Sequence, residues 1–310
     1  MSSPLVAIPQ PSVNAPEPAP APLQPVRPLY WSLRRELWEN RSIYLAPLGV
    51  ALFAVVALVT HALTMPSHMP GMLGNDAPNP GSASVTYRVA AILMLTTAFV
   101  TGAFYSLEAL SAERRDRSIL FWKSLPVSDR TTVAAKATVP LVVLPLVTMA
   151  ALVAMHLTLL LLSLFALLVK GQSAAPLLNE LRLFRMWAAL LYAVVAMTLW
   201  LAPVYAFLLL VSGWARRTAV LWAILPLLAA ALLEKLTMDT LHLAGFARHR
   251  LVGWYVEAFA APPGEHVMFH PLTPLTPGQF LAAPGLWIGF AAAVVFLAAA
   301  VRLRRYREPI

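Results

Sequence analysis

From about residue 44 to the C-terminus, long apolar runs alternate with short polar stretches rich in arginine. A helix needs about 20 consecutive apolar residues to cross the roughly 30 Å of bilayer hydrocarbon. Six runs meet or approach that length: Tyr44–Leu63, Ala90–Leu110, Val139–Val169, Met186–Val211, Ala219–Leu233 and Phe280–Val301. The third is long enough to tilt or to project beyond the bilayer. The fifth reaches only 15 residues before Glu234 and Lys235, so its helix is expected to continue amphipathically towards Phe246. Pro47, Pro145, Pro203 and Pro226 fall inside these runs. Each removes a helical hydrogen bond and is expected to mark a kink whose freed carbonyl a neighbouring helix satisfies. The pattern predicts an all-α polytopic membrane protein with six transmembrane helices. It shows no repeat with a 20–50 residue period and no soluble domain of useful size.

Ahead of the first run lies a different kind of sequence. Residues 1–28 hold nine prolines, with Glu17 and Arg27 as their charges. They lack the basic and apolar regions of a secretory signal. Proline at this density predicts an extended, disordered cytoplasmic tail. The expected organisation is therefore a tail over 1–28 and one transmembrane domain over 29–310.

Composition agrees with the pattern. Apolar residues make up 59% of the chain and charged residues 12%, with a mean hydropathy of +0.71. Soluble domains carry about twice that charge, so lipid must be part of the solvent. With no cysteines, disulfides, thiolate metal sites and cysteine nucleophiles are excluded. The net charge of +9 comes from arginines that flank apolar runs and do not cluster on a polar domain. That placement points to membrane sidedness and anionic headgroups, and away from nucleic acid. With the N-terminus cytoplasmic, sixteen Lys and Arg fall on the cytoplasmic side and seven on the other. The expectation is a multi-pass protein of a bacterial-type inner membrane with both termini cytoplasmic. Arg182 and Arg185 run against the trend, partly offset by Glu180.

Two segments on the expected cytoplasmic side are patterned for contact. In Leu29–Arg41, Tyr30, Leu33, Leu37 and Trp38 recur at helical spacing, while Arg34, Arg35, Glu36 and Glu39 fill the other face. This predicts a helix lying flat at the membrane interface. Between the second and third runs, within the loop 111–137, stands ERRDRSILFWKSLPVSDR. There Ile119, Leu120, Phe121, Trp122 and Leu125 interrupt a basic stretch that Pro126 closes. Asp116 or Ser118 suits the cap of a short helix, and Ser128 or Asp129 the cap of the next, which carries Lys136 into the third run. A knuckle this apolar rests either in the headgroup layer or in a groove on another protein.

The order of interfacial helix, two spans, a loop beginning Glu113-Arg114-Arg115 and ending Ser124-Leu125-Pro126-Val127-Ser128, then Lys136 and a further span, resembles the type 2 ABC transporter permeases. The resemblance covers Leu29 to Ile310, six spans and both ends inside. It implies a permease subunit of an ABC exporter that binds no cofactor itself and pairs with a separate ABC ATPase subunit carrying the ATP. It implies a second permease copy, in a homo- or heterodimer. It assigns Leu29–Glu39 as the connecting helix, Ser118–Leu125 as the coupling helix that touches the ATPase, and Glu113 and Arg114 as the close of the helix that delivers it. The chain departs from the family between the fifth and sixth spans, where members often carry short re-entrant helices. Here about 45 residues rich in proline, histidine and aromatics intervene. No GxxxxGK[ST] phosphate loop is present, so any ATP chemistry must lie on another chain.

Other polar residues carry weaker signals. Glu108 and His156 fall within spans, where ionisable groups are functional candidates by default. Pairing with a loop arginine or snorkelling to the interface is the expectation for Glu108, and bonding to a neighbouring helix that for His156. In the external loop 234–279, His266 and His270 are four apart, but the flanking prolines leave barely two helical turns, and no metal site is expected. Trp254, Tyr255 and Phe259 read as an aromatic belt. Neither HExxH nor Gly-x-Ser-x-Gly occurs, which removes the main signatures of a membrane protease. The competing expectation is a membrane scaffold or sensor whose external loop binds a ligand.

Overall fold

The computed structural model describes residues 28–64, 82–115, 127–169, 171–181, 183–215, 218–259 and 275–306. Among them every regular element is a helix: α1 (Pro28–Glu39), α2 (Ser42–Thr64), α3 (Ser82–Glu108), α4 (Ser111–Arg115), α5 (Asp129–Thr138), α6 (Leu144–Val169), α7 (Ala175–Leu181), α8 (Leu183–Trp214), α9 (Ala219–Met238), α10 (His242–Phe259), α11 (Pro277–Ala282) and α12 (Pro284–Tyr306). The segment Val139–Val143 joins α5 to α6 as one π-helical turn. Helices are the form that satisfies every backbone group within its own segment, which hydrocarbon demands. Six stretches, Ser42–Thr60, Tyr87–Arg115, Asp129–Val169, Leu177–Trp214, Ala219–Met238 and Pro284–Tyr306, are long and apolar enough to cross a membrane. The chain is an all-α, multi-pass membrane protein.

The core forms around α8. In its most apolar window 72% of residues are buried, against 6% for α9. With 32 residues, α8 extends about 48 Å. Helices α3, α10 and α12 pack on it, and α2 bridges α3 and α6. Hydrophobic driving force between helices is absent in lipid, so close packing of small residues carries much of the association. Ala90, Ala91, Ala98, Ala193 and Ala196 fill these seams. At Gly102 of α3 an added Cβ would lie 3.0 Å from the Tyr205 ring and 3.2 Å from Leu144, so glycine lets α3 approach α8 and α6 together.

The helix ends refine the expectations. α3 starts at Ser82, and the long third element starts at Asp129, ten residues before its apolar run. The kink expected at Pro145 is preceded by the π-turn, where Leu144 N–H donates to the Val139 carbonyl, five residues back. α9 does not continue to Phe246. It stops at Met238 because Asp239 takes a left-handed backbone (φ 52°) and its N–H donates to Lys235 O. Glu234 then folds over the start of α10, accepting from His242 N at 2.6 Å, Leu243 N at 2.9 Å and Thr240 Oγ1 at 2.8 Å. Phe280 belongs to α11, so the last span begins at Pro284.

Candidate functional site

Both flanks of the apolar knuckle arrive at one end of the bundle, where α1, α4, α5 and α12 meet. Ser128 caps α5, its side chain accepting from Thr131 N at 3.1 Å. On α5, Thr132, Val133, Ala135, Lys136 and Ala137 turn inward. Lys136 is buried, and a buried ammonium is tolerable only when paired and hydrogen-bonded. Its Nζ lies 2.8 Å from Glu36 Oε1 of α1 and 3.1 Å from Glu113 Oε1 of α4. Tyr105 of α3 donates to the other Glu36 oxygen at 2.8 Å, and Asn40 Nδ2 lies 3.4 Å from it. Glu113 also receives Arg304 of α12 through Nη1 and Arg35 of α1 at 3.4 Å. Arg304 Nε reaches Asp129 at 3.0 Å.

Three carboxylates, Glu36, Glu113 and Asp129, therefore face three cations, Lys136, Arg304 and Arg35. Desolvation opposes burying such groups, so net stabilisation from the cluster is small, but loss of one partner strands a charge. What the arrangement supplies is register: α1, α3, α4, α5 and α12 can sit together in one way. Arg114, beside Glu113, fixes the base to α8. Its Nη2 donates to Ser212 O at 2.6 Å and Ala215 O at 2.7 Å, closing the last turn of that helix. Ser212 Oγ in return accepts from Leu110 N and Ser111 N, each at 3.0 Å, where α3 gives way to α4.

Glu113 and Arg114 thus sit at the base of the loop. Ser118, Ile119, Leu120, Phe121, Trp122, Leu125 and Pro126 lie outside the described residues. On α1, Leu33 and Leu37 pack against the inner apolar cluster of Ile43, Tyr105, Val139 and Leu209. Tyr30, Arg34 and Trp38 face outward, with the Arg34 guanidinium 5.4 Å from both the Trp31 and Trp38 ring centres. Glu36 departs from its expected outer face: it is 3% exposed. On a helix it lies three residues from Leu33 and so shares that inward face, and Lys136 supplies the partner that makes its burial tolerable. Local pattern carries no sign of a partner 100 residues away. Glu36, Tyr105, Asp129 and Arg304 were missed as a site for this reason; Lys136 was legible only within the loop motif.

The intraspan candidates separate. Glu108, the last residue of α3, is exposed, with Ser111 Oγ on its carbonyl. His156 is fully buried on α6, with Nε2 3.2 Å from the Tyr87 carbonyl of α3 and its ring 5.1 Å from that of Tyr87. It ties α3 to α6.

At the opposite end, α10 lies against α8 and α12. Arg250 stacks on Trp200 at 4.8 Å and donates to Gly285 O at 2.9 Å. Trp254, Tyr255 and Phe259 are buried, and Tyr192 OH donates to Ala258 O at 3.0 Å. These aromatics, read from the sequence as a belt at the outer surface, are part of the packed core. His266 and His270 lie outside the described residues. No family model matches the chain, and no curated protein or solved structure matches it significantly.

Proposed function

We propose that the chain is the membrane-spanning permease of a type 2 ABC exporter, coupled to a separate ATPase subunit that grips the segment between α4 and α5. The observation that carries this reading is the ion cluster. Helices α4 and α5, the two flanks of Ser118–Pro126, are joined by Glu113 and Lys136, pinned to α12 by Arg304 and to α8 by Arg114. Displacement of the segment would move a braced base and the spans attached to it, and would not be lost in a slack loop. An apolar knuckle on such a base suits a lever worked by a partner, as a greasy helix in a groove does. The Lys and Arg distribution favours an inner-membrane protein with α1, the loop and α12's end on the cytoplasmic face. α9, almost wholly outward-facing, is the span available to a second permease copy.

The test is co-purification of the full chain expressed with its chromosomal neighbours. A chain bearing a GxxxxGK[ST] loop is expected at about one per permease. Trp122→Ala with Leu125→Ala is expected to lose it while the permease stays monodisperse in detergent. If no phosphate-loop ATPase is retained by the wild-type chain, the exporter reading fails.

A further inference from the structure

A groove of about 970 Å³ opens between the start of α5 and the last three turns of α12. Its walls change character along their length. Val294, Leu297, Ala298 and Val301 of α12, opposite Val133 and Ala134 of α5, form an apolar floor. Arg302 and Arg305 follow one turn on, with Arg130 across from them. From Val294 to Arg302 the helix axis advances about 12 Å, so the floor lies in the apolar part of a spanning helix and the arginines at its end. Arg304 also borders the groove, but it is turned to Glu113 and Asp129. Among the described residues, Arg130, Arg302 and Arg305 make no ion pair, and all three are exposed. The single carboxylate of the lining, Asp129, is already bonded to Arg304.

We infer that this groove holds an anionic phospholipid, its phosphate among Arg130, Arg302 and Arg305 and one acyl chain along Val294–Val301. The charge complement decides the occupant. In sequence, the apolar knuckle that precedes Val127 carries Arg117 and Lys123 against one Asp116, so its composition offers no net negative charge to match the arginines. An anionic headgroup neutralises them, and its tail covers a floor that water solvates poorly. Basic pockets at the ends of spanning helices attract such headgroups, each arginine contributing about fivefold in affinity. The lipid would abut Asp129 and Arg304 and thus brace the ion cluster from outside. The inference does not depend on the exporter reading.

Native mass spectrometry of the full chain in mild detergent tests it, with titration by phosphatidylglycerol or by phosphatidylcholine of the same chain length. The expected result is at least tenfold stronger retention of phosphatidylglycerol. Arg130→Ala/Arg302→Ala/Arg305→Ala should abolish the preference, whereas Arg185→Ala/Arg248→Ala, at the opposite end, should keep it. Ala298→Trp, at an exposed position on the floor, should expel the lipid with the arginines intact. Undiminished retention by the triple variant or by Ala298→Trp overturns the inference. So does equal binding of phosphatidylcholine, or displacement of phosphatidylglycerol by millimolar inorganic phosphate, which would indicate a soluble-anion site.

Discussion

Glu36 shows how a single residue can reverse a face. Counted as a charge it belongs in water, but it is buried with Lys136, Tyr105 and Asn40 around it. Lys136 is the residue whose loss should be felt most. Lys136→Met removes the cation that bridges Glu36 and Glu113 and leaves Glu36 without its ion-pair partner. We expect a cost of about 3–5 kcal/mol. Glu36→Gln costs less, because Lys136 keeps Glu113. The double variant should be more stable than the sum of the two, by about 1–3 kcal/mol, in detergent thermal unfolding. Strict additivity would mean that the two groups are not coupled. A second coupled pair lies at the other end. The Arg250 guanidinium is pressed on Gly289, where no Cβ fits. Gly289→Ala should displace Arg250 from Trp200 and Gly285 at a cost of about 1–2 kcal/mol. In the Arg250→Ala background the same change should cost almost nothing, because the side chain it collides with is gone.

Among the elements, the α5–π–α6 rod carries the cluster into the membrane. Its first ten residues were legible from Ser128, Asp129 and Lys136, since a cap and a helical spacing are local properties. The π-turn was not legible; it arises where Pro140 and Pro145 leave backbone carbonyls without donors, and side-chain periodicity barely registers one extra residue in 41. A π-turn holds one residue more than a regular turn, with side chains in helical phase on either side. Deleting Val142, which is exposed in the turn, should therefore restore a regular helix and leave Lys136 in place. Deleting Ala134, outside the turn, rotates Asp129 relative to Lys136 by about 100°. It should therefore separate Arg304 from Asp129 or Lys136 from Glu113. The expected readout is a monodisperse, thermally near-normal protein for the first deletion and a destabilised or aggregated one for the second. The reverse order would remove the rod's register as the determinant. Helix α10 illustrates the same limit on sequence reading. Only its first turn, to Phe246, falls within the expected continuation of α9, because nothing in the local pattern shows that Asp239 turns left-handed and that Glu234 serves as a cap.

At the level of the whole molecule, the six spans were legible because hydrocarbon enforces both length and composition. The two ends of the bundle differ in how they are held. One is tied by ions among α1, α4, α5 and α12, the other by aromatics and Arg250 among α8, α10 and α12. An odd number of crossings separates Trp38 from Asp239, and an even number separates Trp38 from Tyr306, if all six candidate stretches cross. The absence of cysteine makes this directly measurable, since single-cysteine variants carry no background. Trp38, Asp239 and Tyr306 are all exposed, so cysteines there are accessible to the reagent and leave the core intact. With a membrane-impermeant maleimide, Trp38→Cys and Tyr306→Cys should react in inside-out vesicles and stay unlabelled in intact cells. Asp239→Cys should show the opposite. The arginine asymmetry sets which pair faces the cytoplasm, and the crossing number sets that the pair stays together. Labelling of Trp38→Cys and Asp239→Cys from one side would mean that one stretch, with α9 the least embedded, does not cross. Labelling of all three in the reverse sense would keep the six crossings and place the ion cluster, and the knuckle it braces, on the outer face where no ATPase could reach them.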